Sequence, residues 1–194
     1  VFRRIAAKIC CQFVGESVGS SLRPQQVGVN TRGGCEGAVH AARTYLKENK
    51  DSDHVFLKVD CRNAFNTLER DVMLAAVKEW TPPIYSFLHQ CYSTPSLLVF
   101  GYNIINSEVG AQQGDPLGPL LFSISIHSIV RSLCSNLNIW FLDDGSLAGP
   151  PETVINDFIT IINGFKKLGL EINTEKCELH FMSSLQESVL EKFN

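Results

Sequence analysis

The 194-residue sequence has no CxxC pair, no histidines at metal-ligand spacing and no unbroken apolar run long enough to cross a bilayer. Its longest apolar stretch, Leu117 to Val130, is interrupted by Ser123, Ser125, His127 and Ser128, well short of the ~20 apolar residues that a membrane helix needs. No charged-then-apolar signal opens the chain. These absences argue against a membrane span and predict a soluble intracellular protein. The seven cysteines are odd in number, with Cys10 and Cys11 adjacent and the others isolated. That spacing argues against a zinc site or a disulfide framework, and for reduced thiols acting as small buried hydrophobes. His127, on an apolar stretch, is expected to be a satisfied core residue.

With 44% hydrophobic residues, the chain can bury a core as one large domain or as one domain with a smaller lobe. The net charge of −3 is unevenly spread: residues 1–50 carry eight Lys/Arg against three Glu, and residues 51–194 carry nine against seventeen acids. A basic part beside an acidic one is compatible with a phosphate backbone on the first and metal ions on the second. Ordinary solvated faces would give the same count. The pI near 6.0 speaks weakly against a stand-alone nucleic-acid binder.

Ile5, Ile9, Phe13 and Val14 recur at helical spacing in a first segment running to about Ser21. A loop follows through Pro24, Gly28 and Gly33-Gly34, and an amphipathic helix over Glu36 to Lys47 ends at a charged turn, a plausible lobe boundary. Val55 to Val59 forms a strand. Asn66 and Glu69 make a capping-box pattern for a helix through Trp80, stopped by Pro82-Pro83. A short helix over Ile84 to Gln90 precedes a hairpin of Leu97–Phe100 with Asn103–Ile105. An apolar helix then runs to about Leu133, with Asp115 a candidate cap. Ile139 to Leu142 leads into a tight turn at Asp143-Asp144-Gly145, with Ser146 to Ala148 as the return strand. A helix over Glu152 to Leu168, closed by Gly169, and a last strand over Cys177 to Phe181 complete a split βαβ plan: an antiparallel sheet backed by helices.

Three carboxylates stand out in that plan. Asp60 closes one strand, and Asp143 and Asp144 lie at the turn between two others, so all three can meet. Two like charges at about 4 Å cost roughly 4 kcal/mol at an effective dielectric near 20, so a cation is expected among them. Oxygen-only donors suit Mg²⁺ or Mn²⁺, and Mg²⁺ prefers one or two carboxylates completed by substrate phosphates. An Asp-Gly pair alone is more often just a hairpin turn.

Four blocks carry a family resemblance: Phe56-Leu57-Lys58-Val59-Asp60-Cys61-Arg62-Asn63-Ala64-Phe65-Asn66-Thr67, Gln112-Gln113-Gly114-Asp115-Pro116-Leu117-Gly118-Pro119-Leu120-Leu121-Phe122, Phe141-Leu142-Asp143-Asp144-Gly145, and Gly169 to Cys177. In order and spacing they resemble the reverse transcriptases of non-LTR retrotransposons. Pro24-Gln25-Gln26-Val27-Gly28 and Gly33-Gly34 resemble that family's fingers. The resemblance implies an α+β fold: a right-hand polymerase palm with a split βαβ, ferredoxin-like antiparallel sheet plus partial helical fingers. It divides the chain into partial fingers over 1–54, a palm over 55–182 with inserted helices over 91–135, and a tail over 183–194 with no thumb. A missing thumb would weaken grip, so this piece alone is expected to be weakly active or inactive.

By the same resemblance Asp60, Asp143 and Asp144 form a carboxylate triad that holds two Mg²⁺ ions, or Mn²⁺, helped by the main-chain carbonyl of Cys61. Phe65 packs beneath the incoming sugar and rejects a 2′-hydroxyl. Cys61, Arg62, Gln113 and Gly114 belong to the substrate site, Gly114 letting the backbone approach and Gln113 offering its amide. Lys176 stands near the pyrophosphate. Arg3, Arg4, Lys8, Arg23 and Arg32 are candidate triphosphate or template contacts. The implied activity is RNA-directed DNA synthesis from dNTPs on a DNA primer and RNA template, in a nuclear or cytoplasmic ribonucleoprotein. An inactive remnant or nucleic-acid-binding module, and a different two-metal phosphoesterase, are the alternatives.

Overall fold

The computed structural model describes residues 2–183. Two helices come first, α1 (Phe2–Leu22) and α2 (Gly34–Glu48). Strand β1 (Val55–Val59) runs into the short β2 (Cys61–Arg62), then α3 (Ala64–Thr67) and α4 (Arg70–Trp80). A 3₁₀ turn at Pro82–Ile84 leads to α5 (Tyr85–Tyr92), and a hairpin follows, β3 (Ser96–Phe100) with β4 (Asn103–Ser107). The remainder is α6 (Gly118–Ser132), β5 (Leu137–Phe141), β6 (Asp144–Gly149), α7 (Pro151–Lys167), β7 (Glu171–Ile172) and β8 (Glu178–Phe181).

The main sheet has the order β5-β6-β1-β8, all antiparallel. This is the split βαβ arrangement: β1 sits between the second strand of the β5–β6 hairpin and the last strand, with helices in both connections. Strand β1 alternates inward Val55, Leu57 and Val59 with outward Phe56 and Lys58, the period-2 pattern of a half-covered strand. Helix α7 lays Val154, Ile161 and Phe165 on the sheet, and Trp140 of β5, fully buried, meets Phe165 at 5.7 Å between ring centroids. Helix α6 is buried on nearly every face from Leu120 to His127, as an all-round apolar helix must be. Among the described residues no helix is long and apolar enough to cross a membrane.

Three local expectations are revised, and one short strand pair is new. The Asn66–Glu69 capping box does not form. The chain makes one helical turn at α3, is extended at Leu68 and Glu69, and restarts at Arg70 without a side-chain cap. The Leu68 carbonyl accepts from Gly110 N (2.9 Å) and the Glu69 amide donates to Leu168 O (2.9 Å), so tertiary partners replace the helical ones. On α1 the stripe Ile5, Ile9 and Phe13 faces outward at 51%, 61% and 71% exposure, and the core side is a mostly small-residue face of Ala7, Val14, Gly15, Val18 and Gly19, ending at Leu22. A close helix contact is easier to make with small side chains than with large ones. The β2–β7 pair, Cys61 opposite Ile172, is too short to leave a periodic signal. His127 lies in the core, 1% exposed and edge-on to Trp80 at 5.0 Å, but neither ring nitrogen finds a good hydrogen bond. It is a core histidine without being a satisfied one.

Candidate active site

The β5–β6 turn lies one residue earlier than the Asp-Gly pattern suggests. Phe141 pairs with Asp144 and Trp140 with Gly145, so the two turn residues are Leu142 and Asp143. Leu142 has φ +59, the positive value required at the first position of a type II′ turn and one that a leucine rarely adopts. Gly145 belongs to the strand. A Cβ there would stand 2.7 Å from the Trp140 ring, so the glycine lets tryptophan cover the strand and does not make the turn.

What holds the leucine is Gln26, 1% exposed, a residue that the sequence reading passed over. Its Nε2 donates to Leu142 O (3.0 Å), and its Oε1 accepts from Leu142 N (2.8 Å) and Gly28 N (3.0 Å). The neighbouring backbone adds a parallel bridge, with Trp140 N to Gln25 O at 2.6 Å and Val27 N to Trp140 O at 2.8 Å. The only advance signal was Gln26's place in the Pro24–Gly28 segment. A buried amide with both ends satisfied by one distant turn leaves no local pattern.

The register then positions the acids. Val59 pairs with Gly145, so one step further along the same antiparallel register Asp60 and Asp144 stand opposite each other, with Asp143 in the adjoining turn. Like charges opposite one another destabilise a sheet. Among the described residues none of the three is in an ion pair. Lys58, two residues before Asp60, is held by Glu178 at 3.1 Å; that hydrogen bond raises its pKa most, with Asp144 and Asp60 adding to the field. Burial lifts the Asp143 carboxyl above its ordinary range. Its own backbone amide opposes this, while Asp144 and Asp60 raise it further. The buried Cys61 thiol is pushed far up, first by burial, then by Asp143 and Asp60. A thiol is a soft donor, so the main-chain oxygen of Cys61 is the atom that suits a hard cation.

These are hard oxygen donors outside any ion pair among the described residues, which fits Mg²⁺ or Mn²⁺. Among the described residues, however, no three His, Cys, Asp or Glu side chains are gathered closely enough to hold a metal ion by themselves. The convergence is one of backbone positions, and oxygens from a bound substrate would have to complete the ligand set.

Lys176 is exposed in the turn before β8. That turn is attached to the acid cluster, since Asn173 N donates to Asp60 O (2.9 Å) and Lys176 N to Asn173 O (2.9 Å). Arg62 makes an exposed ion pair with Glu171 at 3.3 Å, a contact worth at most about 1 kcal/mol and easily exchanged for another anion. Phe65, half-buried, packs on Phe122 at 4.9 Å and shares a cleft of about 490 Å³ with Asn66, Gln112, Gln113, Gly114 and Pro119. Asp115 Oδ1 accepts from Leu117 N (3.0 Å) in the turn that leads into α6, whose own N-cap position is Leu117 and carries no side-chain cap. Arg4, Lys8, Arg23 and Arg32 are exposed. Arg3 instead turns inward, donating to Gln112 Oε1 (2.6 Å) and Asp115 Oδ2 (3.3 Å).

Residues 2–189 match the family model described as "Reverse transcriptase (RNA-dependent DNA polymerase)". The chain belongs to the reverse transcriptase family. Two curated relatives are retrotransposon proteins. The retrotransposable element SLACS 132 kDa protein of Trypanosoma brucei gambiense is 26% identical over 191 residues, covering 92% of this chain and 16% of that protein. The Pol polyprotein from type-1 retrotransposable element R2 of Popillia japonica is 28% identical over 153 residues, covering 68% of this chain and 25% of that one. The chain thus spans a quarter or less of the length of these relatives. Both relatives agree with the likeness to non-LTR elements read from the sequence blocks. Among solved structures, apo telomerase from Candida tropicalis superposes with a TM-score of 0.67 at 13% identity, over 92% of this chain and 37% of that one. Telomerase from Candida albicans, in complex with a fragment of telomeric RNA, gives 0.62 at 14% identity, over 90% of this chain and 35% of that one. At such identities the likeness is one of fold: this reverse transcriptase domain has the right-hand polymerase architecture.

Proposed function

We propose that this reverse transcriptase domain copies an RNA template into DNA, adding dNTPs to a primer 3′-hydroxyl, with residues 1–54 as partial fingers and 55–182 as the palm. Asp60, Asp143 and Asp144 hold two divalent ions, joined by the main-chain carbonyl of Cys61. When bound, such ions activate the attacking hydroxyl and neutralise the departing pyrophosphate. The chain's own groups do the rest. Gln26 fixes Leu142 and so the aim of Asp143. Phe65 offers a flat wall to the sugar, where a 2′-hydroxyl would clash. Gln113 and Gly114 bind and orient the nucleotide, Arg62 exchanges Glu171 for a phosphate, and Lys176 delivers a positive charge or a proton to the leaving group. Arg4, Lys8 and Arg32 contact the nucleic-acid backbone or the triphosphate. In the cell the domain works inside a ribonucleoprotein.

The observation that carries this reading is the Val59–Gly145 register, which sets Asp60 against Asp144, neither of them in an ion pair among the described residues. The test is primer extension on an RNA template with dNTPs and Mg²⁺, run beside Asp143→Ala and Asp60→Ala. Losing a ligand that contributes about 4 kcal/mol to the transition state predicts a drop of about a thousand-fold. Equal incorporation by wild type and Asp143→Ala would remove the polymerase reading.

A further inference from the structure

We propose that Tyr92 and Arg3 act as positioning residues, clamping both flanks of the Gln113–Gly114 tip so that it is presented rigidly to the incoming nucleotide. This rests on the polymerase reading above; it gives a role to Tyr92, which that reading left unassigned, and gives Arg3 a role other than the phosphate contact expected from the sequence.

The clamp starts from a buried phenol. Tyr92, the last residue of α5, is 1% exposed, and a buried hydroxyl must find partners. It finds them on either side of the tip: Tyr92 Oη donates to Asp115 Oδ2 (2.6 Å) and accepts from Gln112 N (3.2 Å). Arg3, reaching in from α1, spans the same two flanks with its fork, Nη1 to Gln112 Oε1 and Nη2 to Asp115 Oδ2, while its guanidinium lies 4.9 Å from the Tyr92 ring centroid. Gln112 Nε2 is further tied to Ser96 Oγ at 2.8 Å.

A second cation fixes the approach to the loop. Arg70, 5% exposed and 5.3 Å from the same ring, donates to Ser107 O (2.7 Å), Ser107 Oγ (2.8 Å) and Gly110 O (3.1 Å). All this restraint falls on Gln112, Asp115 and residues 107–110. Gln113 and Gly114 remain exposed, and Gly114 holds φ +80 with nothing within 4 Å of where its Cβ would be. A free tip on immobilised shoulders suits a group that must meet a ligand in one orientation, where a misplacement of about 1 Å can cost a hundred-fold. The cleft that the tip borders is the one containing Phe65, which is why the nucleotide is the ligand assigned.

The experiment uses the full chain with Tyr92→Phe, which keeps the ring under both guanidiniums but removes the hydroxyl, and Arg3→Lys, which keeps charge but removes the fork. Arg3→Lys also serves should Tyr92→Phe fail to fold. Three readouts are taken: hydrogen exchange at the Gln112 amide, single-nucleotide incorporation kinetics, and template–primer Kd. The expected result is faster exchange at Gln112 and a dNTP KM raised about ten-fold, with kcat within about two-fold and template–primer Kd unchanged, as for one lost buried hydrogen bond. The double variant should be little worse than the worse single, because both cut the same clamp. Unchanged exchange overturns the clamp whatever the activity. Faster exchange with an unmoved KM, a fall in kcat alone, or fully additive effects overturn its role toward the nucleotide. Absence of both incorporation and dNTP binding by fluorescence titration in the wild type sinks the polymerase reading, and the nucleotide role with it, while the exchange result still decides whether the clamp exists; where dNTP binds without incorporation, an unmoved dNTP Kd in the variants overturns the nucleotide role.

Discussion

Asp115 and Asp143 are both partly buried carboxylates on loops that end at a regular element, and the fold treats them in opposite ways. Asp115 is fully partnered: a tyrosine hydroxyl and an arginine on one oxygen, a helix-starting amide on the other. Asp143 has two like-charged neighbours, no ion pair among the described residues, and a carboxyl pushed above its normal range chiefly by burial. One aspartate stabilises the fold. The other is held against its electrostatic preference by backbone geometry that Gln26 and the Trp140–Gly145 contact enforce, and such exceptions to stability mark sites of function.

The sharpest way to break this comparison is Asp143→Asn. Its DNA synthesis should fall about a thousand-fold, while thermal unfolding should show a melting temperature equal to or above wild type, since one of three repelling charges is gone. A melting temperature several degrees lower would mean that Asp143 is structural after all. Asp115→Ala should do the reverse in stability, costing about 3 kcal/mol by urea unfolding, because the Tyr92 hydroxyl and the Arg3 fork lose a charged partner. Gln26→Leu should cost about 2 kcal/mol by leaving the Leu142 amide and carbonyl unpaired, and should lower synthesis with it. If synthesis survives intact, Asp143 does not depend on that turn.

Gly145→Ala tests the covering ring alone. A methyl 2.7 Å from Trp140 should cost about 1–3 kcal/mol by overpacking, read as a shift in the denaturant midpoint. The smallest effect concerns His127, a buried polar group that also lacks a good partner but is not acidic. Burial lowers its pKa first and Arg131 adds to that, while the nearby Ser21 carbonyl pulls weakly the other way. A folded pKa below the unfolded value means that stability is complete above pH 6.5 and lost as pH falls through the folded pKa. The wild type should therefore unfold more easily than His127→Leu as pH drops below about 6.5, relative to the difference between them at pH 8; parallel curves would refute the assignment.

Most of the fold was legible because its signals are local. The alternation in Val55–Val59, the helical spacing from Val154 to Phe165 and the glycine and proline punctuation mark elements wherever the chain goes. The acids at Asp60, Asp143 and Asp144 were legible because like charges after apolar runs have few structural uses. Illegible were the partners that override local preference. Leu68 and Glu69 are drawn out of helix by Gly110 and Leu168. Ile5, Ile9 and Phe13 have a core-like spacing, but α1 packs through its smaller residues. Arg3, expected at a phosphate, bridges Gln112 and Asp115, residues more than a hundred positions away.

The sequence by itself determined most of the strands and helices, and that carboxylates stand at the strand ends, since both follow from short-range periodicity and side-chain chemistry. Only the tertiary structure decided that the turn is Leu142–Asp143, that Gln26 locks it, and that Tyr92 joins α1 to the Gln113 tip. Each of these depends on a buried hydrogen bond between distant residues, whose partner is chosen by packing and by the cost of leaving any buried donor unmet.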